Sequence, residues 1–268
     1  MKLPGISALF ACVFSLTACG NGWEEPYVDP SLERVDDVCS VIADVALRDL
    51  CRKQFDANSD GKLSMNEAAA VLAINSKGYQ VGSLEGIRYF SRLSVLKLYN
   101  GTFRVFNLEG KKDLKELYLN MCLELEALDL RGFNQLKSIM LLGCDGLTSL
   151  TFPEKVSSDI KITVYSEILE ELRLPEGMEA IAENTVDFCP NLKKIILPAT
   201  TRSVHSQAFF PGSSSWPGYY ELTVLANEPP TIYDSWYRSP GHIYVPASSL
   251  DAYKSAWSRY SDIISAIK

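Results

Sequence analysis

The densest run of ligand chemistry in the chain lies between Asp56 and Glu67. Asp56, Asn58, Asp60, Ser64 and Glu67 place oxygen-bearing side chains at positions one, three, five, nine and twelve of a loop, and Lys62 at position seven offers its backbone carbonyl. Alternate residues of a tight loop can face one centre, provided that a glycine at position six permits the sharp turn, and Gly61 stands there. Hard oxygen donors in that number suit Ca2+, which takes six to eight of them. Position twelve would close such a site with both oxygens of the Glu67 carboxylate.

A loop of this kind needs a helix on either side. The segment Asp44 to Phe55 predicts the incoming one, with Asp44 as N-cap and Leu47, Leu50, Cys51 and Phe55 on a common face. Ala68, Ala69, Ala70, Val71 and Leu72 predict the outgoing helix, whose first turn holds Glu67. Helix, loop and helix together form the EF-hand pattern, and a structural Ca2+ ion is the expected cofactor. An ion present at a hundred times its dissociation constant would add about 2.7 kcal/mol to stability. Cys39 and Cys51 flank the first helix. On one continuous helix they would stand about 18 Å apart, but a chain reversal at Ala43-Asp44 would bring them together, so a disulfide there is a hypothesis.

The N-terminus carries an address. Lys2, an apolar stretch from Leu9 to Leu16 and the tetrad Leu16-Thr17-Ala18-Cys19 form a lipobox, which predicts removal of residues 1–18 and lipidation of the Cys19 sulfur. Residues 19–34 then read as a polar, proline-punctuated tether. Glu24 and Glu25 resemble the acidic tag that sends some lipoproteins to the outer face of the outer membrane. The expected location is the outer membrane, exposed at the surface or, as the alternative, on the periplasmic face, with the lipid as the sole membrane contact. A net charge of -7 with no basic run argues against a nucleic-acid partner.

Between Leu93 and Phe152 an L-x-x-L-x-L triad recurs every ten or eleven residues. The copies are Leu93-Leu96-Leu98, Phe103-Phe106-Leu108, Leu114-Leu117-Leu119, Leu125-Leu128-Leu130, Leu136-Ile139-Leu141 and Leu147-Leu150-Phe152. Two copies make a unit of about 22 residues, the step of a leucine-rich-repeat solenoid. Each coil would turn its triads inward and bury them only by stacking on its neighbours. Cys122 and Cys144 lie one full unit apart, which predicts inward-facing ladder residues in place of a disulfide.

The second half changes its pattern to Leu169-Leu172-Leu174-Pro175 and Leu192-Ile195-Leu197-Pro198, with Val186 and Cys189 before the second copy and Ala208-Phe209 one period beyond Val186. Here the chain resembles the BspA-type leucine-rich-repeat family of bacterial surface proteins, although Thr185-Val186 replaces the usual Ala-Phe and residues 213–217 interrupt the last repeat. The closing segment also resembles that family, with a strand at His242 to Val245 and a helix from Leu250 to Trp257. The resemblance implies adhesion or ligand capture and names no ligand.

The expected architecture is a mainly β repeat solenoid with irregular turns at 77–230, preceded by an EF-hand-like helical region at 35–76 and followed by a strand-helix cap at 231–268. On the first arm of each coil the outward positions are Lys97 and Tyr99, Tyr118 and Asn120, then Met140 and Leu142. The second arm is polar there. An exposed apolar stripe marks an interface, so Tyr99, Tyr118, Met140 and Leu142 are candidates for protein contact. The alternative is that another part of the chain covers them. A second candidate is a pair of aromatic loops with Trp216, Tyr219, Tyr220, Trp236 and Tyr237, which would suit a glycan unless they belong to the core of the cap. No catalytic motif stands out. His205 and His242 lack zinc-binding spacing, and neither C-x-x-C nor G-x-S-x-G occurs, so a non-catalytic role is expected.

Overall fold

A computed structural model describes residues 28–108, 110–111, 113–210, 220–236 and 239–268. The signal peptide, Cys19 and most of the tether fall outside the described residues, as do Trp216, Tyr219 and Tyr237. No helix among the described residues is long and apolar enough to cross a membrane.

Two helices, α1 (Val45–Phe55) and α2 (Met65–Ala70), flank the ligand loop. The strands follow as β1 (Ala73–Asn75), β2 (Val95–Tyr99), β3 (Glu116–Asn120), β4 (Ala127–Asp129), β5 (Ser138–Leu142), β6 (Ser149–Thr151), β7 (Lys161–Val164), β8 (Glu171–Arg173) and β9 (Ala180–Ile181). Then come β10 (Val186–Asp187), β11 (Lys194–Leu197), β12 (Ser203–His205), β13 (Phe209–Phe210), β14 (Glu221–Val224), β15 (Thr231–Tyr233) and β16 (His242–Val245). Helix α3 (Leu250–Ala256) and β17 (Ile264–Ala266) close the chain.

All pairings among these strands are parallel and join residues of successive coils. The first arm forms a seven-stranded sheet in the order β1-β2-β3-β5-β7-β10-β13. Leu96 pairs with Leu117, Leu117 with Ile139 and Ile139 with Ile162, so the same apolar position climbs from rung to rung. Strand side chains alternate between faces, which sends Leu96, Leu98, Leu117, Leu119, Ile139 and Leu141 inward together. The triads are buried as their spacing predicts, apart from Leu150, which is half-buried.

Leu150 marks a seam. The second-arm pair β4-β6 does not continue into the five-stranded sheet β8-β11-β14-β16-β17. A crevice of about 250 Å³ separates residues 150–154 from 173–176 there. Pro153 and Pro175 lie on its two sides, and proline brings no N–H to a ladder. The sequence changes its repeat pattern at the same place.

Cys122, Cys144 and Cys189 are buried and take the same place in successive coils, with Ser166 filling the rung between Cys144 and Cys189. Cys189 Sγ donates to the Val164 carbonyl at 3.4 Å, and the Ser166 hydroxyl to that of Leu147 at 3.4 Å. The five described cysteines are free thiols. That includes Cys39 and Cys51, which the chain reversal does bring into one apolar cluster without bonding them. Burial pushes the Cys39 thiol up to about 11.

The ladder overruns both expected limits. Its first rung, β1, falls within the stretch read as helical, and β15, β16 and β17 carry the rungs through the stretch read as cap. The helices nonetheless close the two ends. At the N-terminus, Leu47, Leu50, Leu63 and Ala68 are buried in the common core. At the C-terminus, Tyr253 Oη donates to the Ala226 carbonyl at 2.7 Å, and Trp257 Nε1 to that of Pro230 at 2.9 Å.

Candidate calcium loop and binding face

The ligand loop is held by its own oxygens. Asp56 accepts from the N–H of Asp60 at 3.2 Å and of Gly61 at 2.9 Å, and Asp60 accepts from the N–H of Lys62 at 2.8 Å. Asn58 Oδ1 takes the Asp60 N–H as well, and Asn58 Nδ2 donates to Asp60 Oδ2 at 3.0 Å. Gly61 has φ +85°, the left-handed conformation that position six demands.

Ser64 caps α2 by accepting from Glu67 N, and Glu67 reaches back to Ser64 N at 2.8 Å, a reciprocal capping box. Its other oxygen accepts from Ala57 N at 2.9 Å and Asn58 N at 3.4 Å, which ties position twelve to the start of the loop. Burial works against the charge on Glu67, but these hydrogen bonds outweigh it and hold the carboxyl below its ordinary pKa.

The oxygens of Asp56, Asn58 and Asp60 therefore meet around shared amides, and the donor set is the hard one that Ca2+ prefers. Among the described residues no three His, Cys, Asp or Glu side chains stand close enough together to hold a metal ion. With Glu67 bound to Ala57 and Asn58, ligation would require its carboxylate to exchange amide partners for the ion. The fit is one of composition and loop shape.

The loop is also closed from outside. Leu63 donates its N–H to Asp37 Oδ1 at 2.9 Å and accepts the Val38 N–H at 2.7 Å. Asp37 in turn caps the 3-10 turn Val38–Ser40 and pairs with Arg52 of α1 at 3.3 Å.

Beyond the loop, the geometry of the repeats is distinctive. In the second half Leu172, Ile195, Leu222, Ile243 and Ile264 align rung to rung, and Val186 pairs with Phe209 as their spacing requires. Residues 113–215 match the BspA type leucine rich repeat region in 6 copies. No curated protein shows a significant match to the chain. The rungs before and after the matched stretch keep the same parallel register as the BspA-type copies.

The outward face of the seven-stranded sheet gathers the first set of candidates. The Tyr99 and Tyr118 rings lie 5.2 Å apart at 42°, and Asn120 Nδ2 donates to Tyr118 Oη at 3.3 Å. Met140 neighbours Tyr118 on the next rung, and Leu142 neighbours Asn120. All four are half-buried, and the neighbouring Lys97 and Glu116 form an exposed pair at 3.8 Å. The stripe continues beyond Leu142. Tyr165 follows β7 in the row of Leu142, and its ring stacks on Phe188 at 5.0 Å and 11°. Met121, 45% exposed and in the left-handed region at φ 55°, borders the stripe and covers Gly143. The unit spacing that aligned the leucines could have found Tyr165 and Phe188, since they stand 23 residues apart and each directly follows a strand.

The aromatic loops divide differently. Tyr220 and Trp236 are buried, at 1% and 5% exposure, so neither is offered to a ligand. Tyr220 meets Phe209 edge-on at 5.9 Å, and Trp236 packs against Trp257 at 5.4 Å and Tyr260 at 4.9 Å. Aromatics next to a terminal cap supply large apolar area to its core, and that role claims these two. His205 Nδ1 accepts from Gln207 N at 3.2 Å, and His242 Nε2 contacts Ser265 Oγ at 2.9 Å, both within the ladder.

Proposed function

We propose that the chain is a lipid-anchored surface module that binds extracellular protein without catalysis, using the outward face of its seven-stranded sheet. The observation that carries this reading is the stripe of half-buried apolar and aromatic side chains from Tyr99 and Tyr118 through Met140 and Leu142 to Tyr165 and Phe188. Parallel rungs in fixed register hold those side chains at set spacing, and apolar stripes rimmed by charge suit protein partners. Solenoids commonly present such extended surfaces for binding. The match to BspA-type repeats supports the same reading.

Binding to immobilised extracellular-matrix and partner-cell surface proteins tests it. Tyr99→Ser with Tyr118→Ser should weaken a measured interaction at least tenfold while leaving the circular dichroism spectrum unchanged. Equal binding by the double variant would remove this face from the account. The anchor rests on the lipobox: labelling with a radioactive fatty acid should mark the wild type and be lost in Cys19→Ser.

In this reading Asp56, Asn58, Asp60, Ser64, Glu67 and the Lys62 carbonyl hold a structural Ca2+. Calcium should raise the melting temperature of the wild type and not that of Glu67→Gln, with a gain on the order of 2 to 3 kcal/mol at saturating ion. An identical shift in both proteins would mean that the ion binds elsewhere. A glycan-capture role would rest on Trp216, Tyr219 and Tyr237 alone, and a glycan-array signal abolished by Trp216→Ala is what it requires.

A further inference from the structure

On the second arm the ladder stops one coil short of the N-terminus. β4 pairs with β6, and Val105 forms a bridge with Ala127 of β4. Among the described residues Val105 has no partner on its other side, and it is 78% exposed. One period back, residues 82–85 would supply the next rung. They are drawn away from it. The N–H groups of Gly82 and Ser83 donate to Asp44 Oδ2 at 2.8 and 3.2 Å, while Asp44 Oδ1 caps α1 at Leu47 N. Gly86 then turns at φ +92°, so close to the preceding segment that a Cβ would stand 2.9 Å from Ile42 Cγ1. Between residues 82–88 and 102–107 a cleft of about 770 Å³ remains where the rung would have lain.

We propose that this cleft receives an extended, acidic peptide of a partner protein, which adds to the Val105 edge as the missing rung. Three features select that occupant. A strand edge with no neighbour calls for backbone hydrogen bonds, and an extended chain supplies them in sequence. Thr102 N already donates to the Val81 carbonyl at 3.0 Å, so the open wall runs from 103 to 107 and matches a peptide of about five residues, roughly 17 Å long. The third feature is charge: in a protein of net charge -7, Arg88 and Arg104 line the cleft, and Glu85 is the one acidic residue among its described lining. Arg104 also pairs with Glu126 at 3.6 Å, but both side chains are largely exposed, so the pair is weak and the guanidinium is free to bind a carboxylate. An apolar side chain of the peptide would meet the half-buried Val41 and the exposed Val105.

The inference shares with the proposed function only the polypeptide nature of the partner, since the Tyr99 and Tyr118 stripe lies on the other arm. Random hexapeptides displayed on phage are selected against the mature chain, and the winners are synthesised and titrated. Enriched sequences should carry Asp or Glu at alternate positions and bind Arg88→Glu with Arg104→Glu at least tenfold more weakly. They should bind Tyr99→Ser with Tyr118→Ser as well as they bind the wild type, which separates failure here from failure of the sheet face. Methylation of the peptide backbone nitrogens should abolish binding at every second position only. Failure to enrich any peptide, indifference to charge reversal, or tolerance of methylation at all positions would each overturn the proposal. So would binding that emerges only after deletion of residues 20–27, because the cleft would then belong to the chain's own Glu24 and Glu25 segment.

Discussion

Lys111 occupies a place that the neighbouring coils give to Tyr89 and Phe133, and it is 4% exposed. Its ammonium group donates to the carbonyls of Arg88 at 3.0 Å and Phe90 at 2.9 Å, one coil back, and so stitches two turns together. Burial lowers its pKa from 10.5 to about 8 against the opposing pull of Asp29 and Asp113. Between those two pH values the unfolded chain keeps a proton that the folded chain has released, so stability contributed by this group rises with pH across the window. Below about pH 8 both states are protonated and the contribution is flat. The stability difference between the wild type and Lys111→Met, measured by urea unfolding, should grow in favour of the wild type from pH 8 to 10.5, by at most about 3 kcal/mol. A difference independent of pH would show that Lys111 titrates normally. Nothing in Gly110-Lys111-Lys112-Asp113 separates this lysine from a solvated turn, because the carbonyls it serves lie more than twenty residues away. Cys122 and Cys144 were legible for the opposite reason, since their meaning lies in a period that the sequence displays.

At the scale of elements, local signals were legible and long-range duties were not. Asp44 is an N-cap by position and by geometry, accepting from Leu47 N at 2.7 Å. Its second oxygen holds Gly82 and Ser83, an interaction across 38 and 39 residues that no local pattern encodes. Asp44→Ala should therefore cost more than the usual cap loss of about 1 kcal/mol, on the order of 2 to 3 kcal/mol. Asp44→Asn keeps one acceptor and should recover part of it. Urea midpoints at constant slope would check both, and a loss of 0.5 kcal/mol or less in Asp44→Ala would mean that the 82–83 turn is held by other contacts. The triads predicted their own burial because each leucine sits on a strand whose alternation decides its side. Leu150 departs from that rule at the seam, where β6 pairs with β4 on one side and, among the described residues, with no strand on the other. The outward placement of Tyr99, Tyr118, Met140 and Leu142 was legible by the same alternation, whereas Tyr220 and Trp236 lie in irregular segments where no period says which way a ring turns.

For the molecule as a whole, stability should behave as a chain of nearest-neighbour contacts between coils, closed at both ends. The C-terminal closure consists of α3, the 3-10 turn at Ser258–Ile263 and β17, which covers the edge of β16. Deleting residues 250–268 would bare that edge and expose Trp236. Parallel edges without cover pair with other chains. Size-exclusion chromatography with light scattering should find oligomers or aggregate, and a monomer with an unchanged melting temperature would contradict the capping role. The solenoid was legible from its period, but its ends were not. β1 is a three-residue strand with no sign of its own, and it joins the ladder through its pairing with β2.

At the other end, the backbone of Leu63 is satisfied by Asp37 and Val38 of the same chain. Cation-binding loops that lean on a twin respond to their ion in a concerted way, whereas this one answers to a fixed scaffold. If the loop takes Ca2+ as proposed, its occupancy should follow a simple hyperbola with a Hill coefficient of one, giving the N-terminal end of the solenoid a graded reinforcement and no threshold.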